Sequence, residues 1–412
     1  MIKFKKKILE NGLTVICNED KGTPFVSVNI LYKVGSINEN KDKTGFAHLF
    51  EHLMFSGSKN VNNFDQYVQL AGGESNAFTT NDYTNFYITI PAANIETALW
   101  LESDRMLNLT INKKSLDIQK SVVSEEFKQR YLNQPYGDIW LKLKPLAYKK
   151  HPYLWPTIGK SIKHIEDATL EDVNEFYNNF YAPNNAILAI SGNINEDRAI
   201  ELVNKWFGDI PRSNYIAPLI PSEPKQTEAR KLVVKDNDVP ASIIFKIYHM
   251  GPRMSQNFYD CDIISDLLSN GQSARLYVNL IQNSKIFSEI DAYVTGDVDP
   301  GLFIFRGKLS ENSNIEEADL AIESEIHKFI NNDISNREIQ KIKNKAESKI
   351  LFSEISYQSK AGNLALFEFM GNVDMVNEEV NFYESTNIFK IKECAKEIFN
   401  ANNCSTLLYL KK

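Results

Sequence analysis

Two of the chain's six histidines stand four residues apart in TGFAHLFEHLMFSGS, residues 44–58, with a glutamate between them. On a helix, His48 and His52 share one face a turn apart and can converge on a single ion. Glu51 lies three residues from His48 and beside His52, so it can approach the same ion without being forced to ligate it. Two imidazoles suit zinc, and zinc lowers the pKa of its water to near neutrality. A neighbouring carboxylate can then act as general base and pass the proton to a leaving amine. The plainer reading is a helix face with two hydrogen-bonded histidines. The spacing of both histidines around a glutamate favours the metal.

A catalytic zinc usually keeps three protein ligands and one open position. The other histidines do not obviously supply the third: His151 precedes a proline, His164 lies in a polar segment, and His249 and His327 fall in the second half of the chain. A carboxylate is the better candidate. QKSVVSEEFKQR, residues 119–130, reads as part of an amphipathic helix with an apolar stripe of Leu116, Val122, Val123 and Phe127. Counting by 3.6 groups Gln119, Val123, Glu126 and Arg130 and turns Glu125 away. An acidic pair on a solvated helix face remains the alternative at this point.

The elements that must position these residues are mixed. LTVICN and FVSVNILYK read as strands, and from Thr44, the expected cap, the apolar spacing becomes helical through Phe46, Leu49, Phe50, Leu53 and Met54. NNFDQYVQLAGG is a short helix stopped by Gly72 and Gly73. ESNAFTT and YTNFYITIP flank Asn81-Asp82 as a hairpin. NIETALWLESDRML and the segment from Asn112 to Asn133 are amphipathic helices. Strands and helices that do not alternate regularly predict an α+β sandwich.

Pro211, Pro218, Pro221 and Pro224 mark a linker at residues 211–230. It divides the chain into a zinc-bearing domain, 1–210, and a second domain, 231–412. The halves read as duplicates: Asn184-Asn185 and Asn402-Asn403 occupy the same place before a closing apolar strand. Aligned so, Asp262, Ser265 and Asp266 take the places of His48, Glu51 and His52, leaving the second half without a metal site.

Apolar residues at 43% and charged residues at 24% are those of a globular protein. A net charge of -7 and the lack of a basic stripe argue against a nucleic-acid partner. No apolar run reaches membrane-spanning length, no secretory signal is read at the start, and four scattered cysteines point to reduced thiols; the expectation is a cytoplasmic protein.

Together these segments resemble the pitrilysin/insulinase family of zinc peptidases, the inverzincins, which includes the mitochondrial processing peptidases. GFAHLFEHLMFSGS matches the motif helix, GGESNAFTTNDYTNFYITIP the substrate-side hairpin, and QKSVVSEEFKQRYLNQPYG the third-ligand helix; HPYLWPTIG and FYAPNNAILAISGNI are further landmarks. The resemblance implies two homologous α/β-sandwich halves, with largely antiparallel mixed sheets, closing as a clamshell about the linker. It implies one zinc per chain held by His48, His52 and Glu126, with Glu51 as catalytic base. It further implies a peptide substrate bound by β-augmentation along Asn76, Ala77, Phe78 and Thr79.

Two departures stand out. Where many relatives carry an outer-shell glutamate that hydrogen-bonds a ligand imidazole, this chain has Gln119. Where active single-chain relatives place a substrate-holding arginine and, seven residues on, a tyrosine, it has Ile281 and Ser288; Arg275 and Tyr277 belong to an earlier, structural part of that segment. The pattern is that of the catalytic subunit of a two-chain peptidase, a heterodimer with a homologue lacking HxxEH, with a homodimer as runner-up. The competing readings are a non-catalytic or partner-dependent peptide-binding subunit of the same architecture and an unrelated zinc amidase acting on small molecules.

Overall fold

The computed structural model describes residues 1–412. The chain is α+β, with two sheets and helices packed on them. The first sheet contains β1 (Lys5–Ile8), β2 (Thr14–Glu19), β3 (Phe25–Tyr32), β4 (Glu74–Thr79), β5 (Thr84–Pro91) and β6 (Ala186–Gly192) in the order β1-β2-β6-β3-β5-β4. The second contains β7 (Arg230–Asp236), β8 (Ile243–His249), β9 (Phe287–Val294), β10 (Leu302–Leu309) and β11 (Cys404–Lys411) in the order β7-β11-β8-β10-β9. In each sheet the last strand in sequence enters the middle. It pairs parallel with one neighbour (β2 or β7) and antiparallel with the other (β3 or β8). β6 is buried along its whole length and apolar apart from Ser191, whose hydroxyl donates to Asn18 Oδ1, as suits a strand covered on both faces.

The duplication extends to single side chains. Asn185 Nδ2 donates to Lys33 O and Phe180 O, and Asn403 Nδ2 donates to His249 O and Ile398 O. Each amide thus joins the end of a strand to the end of a helix just before the closing strand begins.

The chain forms two compact units. One comprises 1–129, 155–221 and 351–377; the other comprises 130–154, 222–350 and 378–412. The contiguous halves expected from the linker are therefore corrected, because each gives up a segment. The helix Tyr357–Phe369 packs on β3 and β6, and the helix Ile139–Ala147 packs on β7, β8 and β11. Amphipathic periodicity identifies the buried face of such a helix but not the sheet that receives it. No helix is long and apolar enough to cross a membrane.

The first four helices of the first unit are α1 (Phe46–Leu53), α2 (Phe64–Leu70), α3 (Ile95–Asn108) and α4 (Lys113–Phe127), and α1 and α4 carry the predicted ligands. Thr44 is not the cap of α1. Gly45 holds that position at φ +92, where a Cβ would come within 2.5 Å of Ile158 O. Thr44 instead hydrogen-bonds His164 Nδ1 through its backbone N–H and its hydroxyl, and accepts from Lys160 N. On α4, Leu116, Val123, Ser124 and Phe127 are buried whereas Val122 is exposed, so the apolar stripe is narrower than its spacing suggested.

Candidate metal centre

In α1 the core takes Phe46, Ala47, Leu49, Phe50 and Leu53, leaving His48, Glu51 and His52 as the partly exposed strip. Phe50 anchors the buried face, stacking on Tyr177 and Tyr181. The sequence offers no Ser, Thr, Asn or Asp at the cap position, and the helix's first N–H groups go elsewhere. Glu39 accepts from Gly45 N and Ala47 N at 2.9 Å each, and from Trp155 Nε1 at 3.1 Å. Sequence reasoning missed this residue; its distance from α1 along the chain hides it from any local capping rule.

α4 runs against α1 and brings Glu126 to the histidines. Glu126 Oε2 lies 3.7 Å from His48 Nε2 and 3.4 Å from His52 Nε2. The two imidazole rings meet edge to face with centroids 4.9 Å apart. One donor atom from each of the three residues lies within 4.8 Å of the others. Ligands held about 2.0–2.2 Å from a tetrahedral zinc stand roughly 3.3–3.6 Å apart, so only small rotamer adjustments separate this arrangement from coordination. Two imidazoles and one carboxylate, each still partly open to solvent, fit a zinc with an open position.

Glu125 points away, 62% exposed and paired with Lys128 at 2.6 Å. Gln119, about two turns before Glu126 on α4, donates from Nε2 to Ser56 Oγ at 3.3 Å, just beyond the end of α1. Glu51 Oε2 accepts the hydroxyl of Thr79 at 2.6 Å.

Thr79 ends β4, which is the edge of the first sheet and pairs only with β5. Glu74, Asn76 and Phe78 are exposed, and Ser75, Ala77 and Thr79 are half-buried, the alternation of a strand with one free face and one covered face. The four residues expected to meet a peptide thus lie on an open strand edge beside the three-residue cluster.

In the second unit the helix Gln256–Ser269 follows β8 as α1 follows β3. Its Asp262 accepts from Tyr383 Oη at 2.7 Å, and its Asp266 accepts from Asn270 Nδ2 at 2.6 Å. Burial raises the pKa of Asp262. Ile281 packs against the core of this unit, and Ser288 Oγ donates to the carbonyls of Lys308 and Leu309. Arg275 is bound to Glu338 at 3.0 Å.

Comparisons with known proteins bear on the family and the fold. Residues 14–140 match the family described as Insulinase (Peptidase family M16), and residues 167–346 match Peptidase M16 inactive domain. The second match falls where aspartates and serine replace the motif. The chain is 29% identical over 414 residues to the zinc protease PqqE of Helicobacter pylori, covering 99% of this chain and 93% of that one. It is 27% identical over 241 residues to the mitochondrial-processing peptidase subunit beta of Saccharomyces cerevisiae, covering 57% and 52%. The crystal structure of a protease from Helicobacter pylori superimposes with a TM-score of 0.94 at 28% identity, over 99% of this chain and 100% of the other. Shared sequence along both halves and a shared fold over nearly every residue place this chain in the pitrilysin/insulinase family of peptidases, M16.

Proposed function

We propose that the chain is a zinc-dependent endopeptidase acting on extended peptides or unfolded polypeptide segments. The observation that carries the reading is the convergence of His48, His52 and Glu126 to within 4.8 Å, with Glu51 of the motif helix bonded to Thr79 at the end of the edge strand β4. Zinc bound there would supply Lewis acidity to the scissile carbonyl and to the attacking water. The protein's own groups do the rest. His48 and His52 would hold the ion as neutral imidazoles, and Glu126 would supply the one charged ligand. Glu51 would take the proton of the attacking water and deliver it to the departing amine, the general-base then general-acid role. The backbone of β4 would pair with the substrate as an added strand, so affinity would come from main-chain hydrogen bonds with little side-chain demand.

The reading includes a second polypeptide. Ile281 carries no charge, and the Ser288 hydroxyl is engaged with its own sheet. Neither can clamp a substrate as the arginine and tyrosine of single-chain relatives do. The likeness to a protein named as a beta subunit points the same way. The partner would be a homologue lacking HxxEH that supplies the missing pair.

Zinc analysis combined with a quenched-peptide assay on wild type and Glu51→Gln tests the reading, with and without such a homologue. Zinc with Glu51-dependent cleavage, stimulated by the homologue, supports it. Zinc-free protein points to a peptide-binding subunit, and zinc without peptide cleavage to a different amidase; either result overturns it.

A further inference from the structure

The last residue of the substrate-side strand makes its side-chain hydrogen bond to the residue read as the base. Thr79 Oγ1 donates to Glu51 Oε2 at 2.6 Å, within the range of an O–H bond to a charged oxygen. We propose that Thr79 is the positioning residue for Glu51, fixing its carboxylate and coupling it mechanically to the strand on which the peptide lies. The inference rests on the reading of Glu51 as the base.

Strand period sets the direction. Ser75, Ala77 and Thr79 share the covered face of β4, and α1 packs on that strand, so the Thr79 hydroxyl faces the helix and not the added strand. A β-branched residue has few χ1 choices, so its hydroxyl is aimed with little further loss of entropy.

The end of the strand is itself pinned. Thr80 N donates to Tyr83 O at 2.9 Å, and the Thr80 hydroxyl accepts from Asp82 N and Tyr83 N at 3.1 and 3.0 Å. From the other side, Ser36 N and Ile37 N donate to Thr80 O and Asn81 O at 3.4 and 2.8 Å. Gly35 approaches this turn so closely that a Cβ would lie 2.4 Å from Asn81 O. Glu51, by contrast, has three rotatable bonds on a partly exposed strip, and the hydroxyl restrains where its carboxylate points. Because the peptide pairs with backbone and the hydroxyl serves Glu51, losing the hydroxyl affects turnover and not binding.

The test compares Thr79→Val, which keeps shape and β-branching, with Thr79→Ser, which keeps the hydroxyl, in the assembly in which wild type cleaves peptide. T79V is expected to lower kcat about 10- to 100-fold with KM within about twofold, at unchanged zinc content and melting temperature. T79S is expected to stay within about threefold of wild type. Peptide affinity, read by fluorescence anisotropy on non-cleaving Glu51→Gln, should be the same with and without T79V.

Full kcat in T79V, a T79S defect as large as that of T79V, or a matching loss of peptide affinity overturns the role, the last by making Thr79 a substrate contact. If Glu51→Gln itself still cleaves, the assignment of the base falls and this inference with it. Loss in E51Q beside full turnover in T79V sinks the Thr79 role alone.

Discussion

The buried carboxylate of Glu39 caps the motif helix at Ala47, the residue before His48: Ala47 N–H donates to Oε1, and Gly45 N–H donates to Oε2. Burial pushes the Glu39 pKa up to about 8, against the N–H donors of Ala47, Gly45 and Trp155, which favour the anion. An ordinary glutamate titrates near 4.5, so between these values the folded chain holds a proton that the unfolded chain has released. The contribution to stability is complete below about 4.5 and is lost as pH rises through about 8. Urea midpoints of the metal-free protein should therefore fall from pH 5 to 9, and Glu39→Gln should flatten that slope. A slope unchanged in the variant would assign the effect to other groups.

Glu125 and Glu126 are adjacent in sequence and opposite in environment. Glu126→Gln should raise the zinc dissociation constant at least about 100-fold, since it removes a ligand. Glu125→Gln, which loses only an exposed pair with Lys128, should stay within about twofold. Chelator competition reads both, and equal losses would place the third ligand elsewhere.

Gln119 donates to Ser56, at the end of the helix that bears the ligands. A carboxylate there adds negative charge beside the site, and outer-shell changes shift metal affinity by roughly 10- to 100-fold. Gln119→Glu is expected to keep or tighten zinc binding in the same competition assay. A clear loss of bound zinc would contradict the assignment.

Arg105 and Glu102, both fully buried on α3, pair at 2.8 Å, and the guanidinium lies 4.5 and 4.4 Å over the rings of Phe64 and Phe86. Arg105→Met strands Glu102 in the core and should cost about 3–5 kcal/mol. Replacing both, Glu102→Leu with Arg105→Met, should recover most of that loss in urea unfolding. A double variant no better than the single one would show that the aromatic contact, and not the charge, carries the stability.

The His48, Glu51 and His52 part of the candidate centre was legible in the sequence because its spacing is local, whereas Glu126 as third ligand came from the family resemblance. His48, Glu51 and His52 share one helical face by period alone, and the same counting preferred Glu126 to Glu125. The supports of the motif helix were not legible, because they lie beyond the residues next to it that local rules consider. A capping rule looks to the neighbouring Thr44, while the structure uses Glu39, which reaches α1 only after the loop between them closes. The segments 130–154 and 351–377 show the same limit: a helix's apolar stripe is written in its residues, whereas its receiving sheet depends on where the whole chain has gone. The paired asparagines are the counterexample. Asn185 and Asn403 were visible as a repeated dipeptide and prove to make matching bonds in the two halves.

The proposed peptidase depends on one zinc held by His48, His52 and Glu126. Anomalous diffraction across the zinc absorption edge, on crystals of protein purified without added chelator, tests it most directly. One peak per chain is expected within about 2.0–2.2 Å of His48 Nε2, His52 Nε2 and a Glu126 carboxylate oxygen, absent in His48→Ala. A peak elsewhere, or none in zinc-saturated crystals, would contradict it.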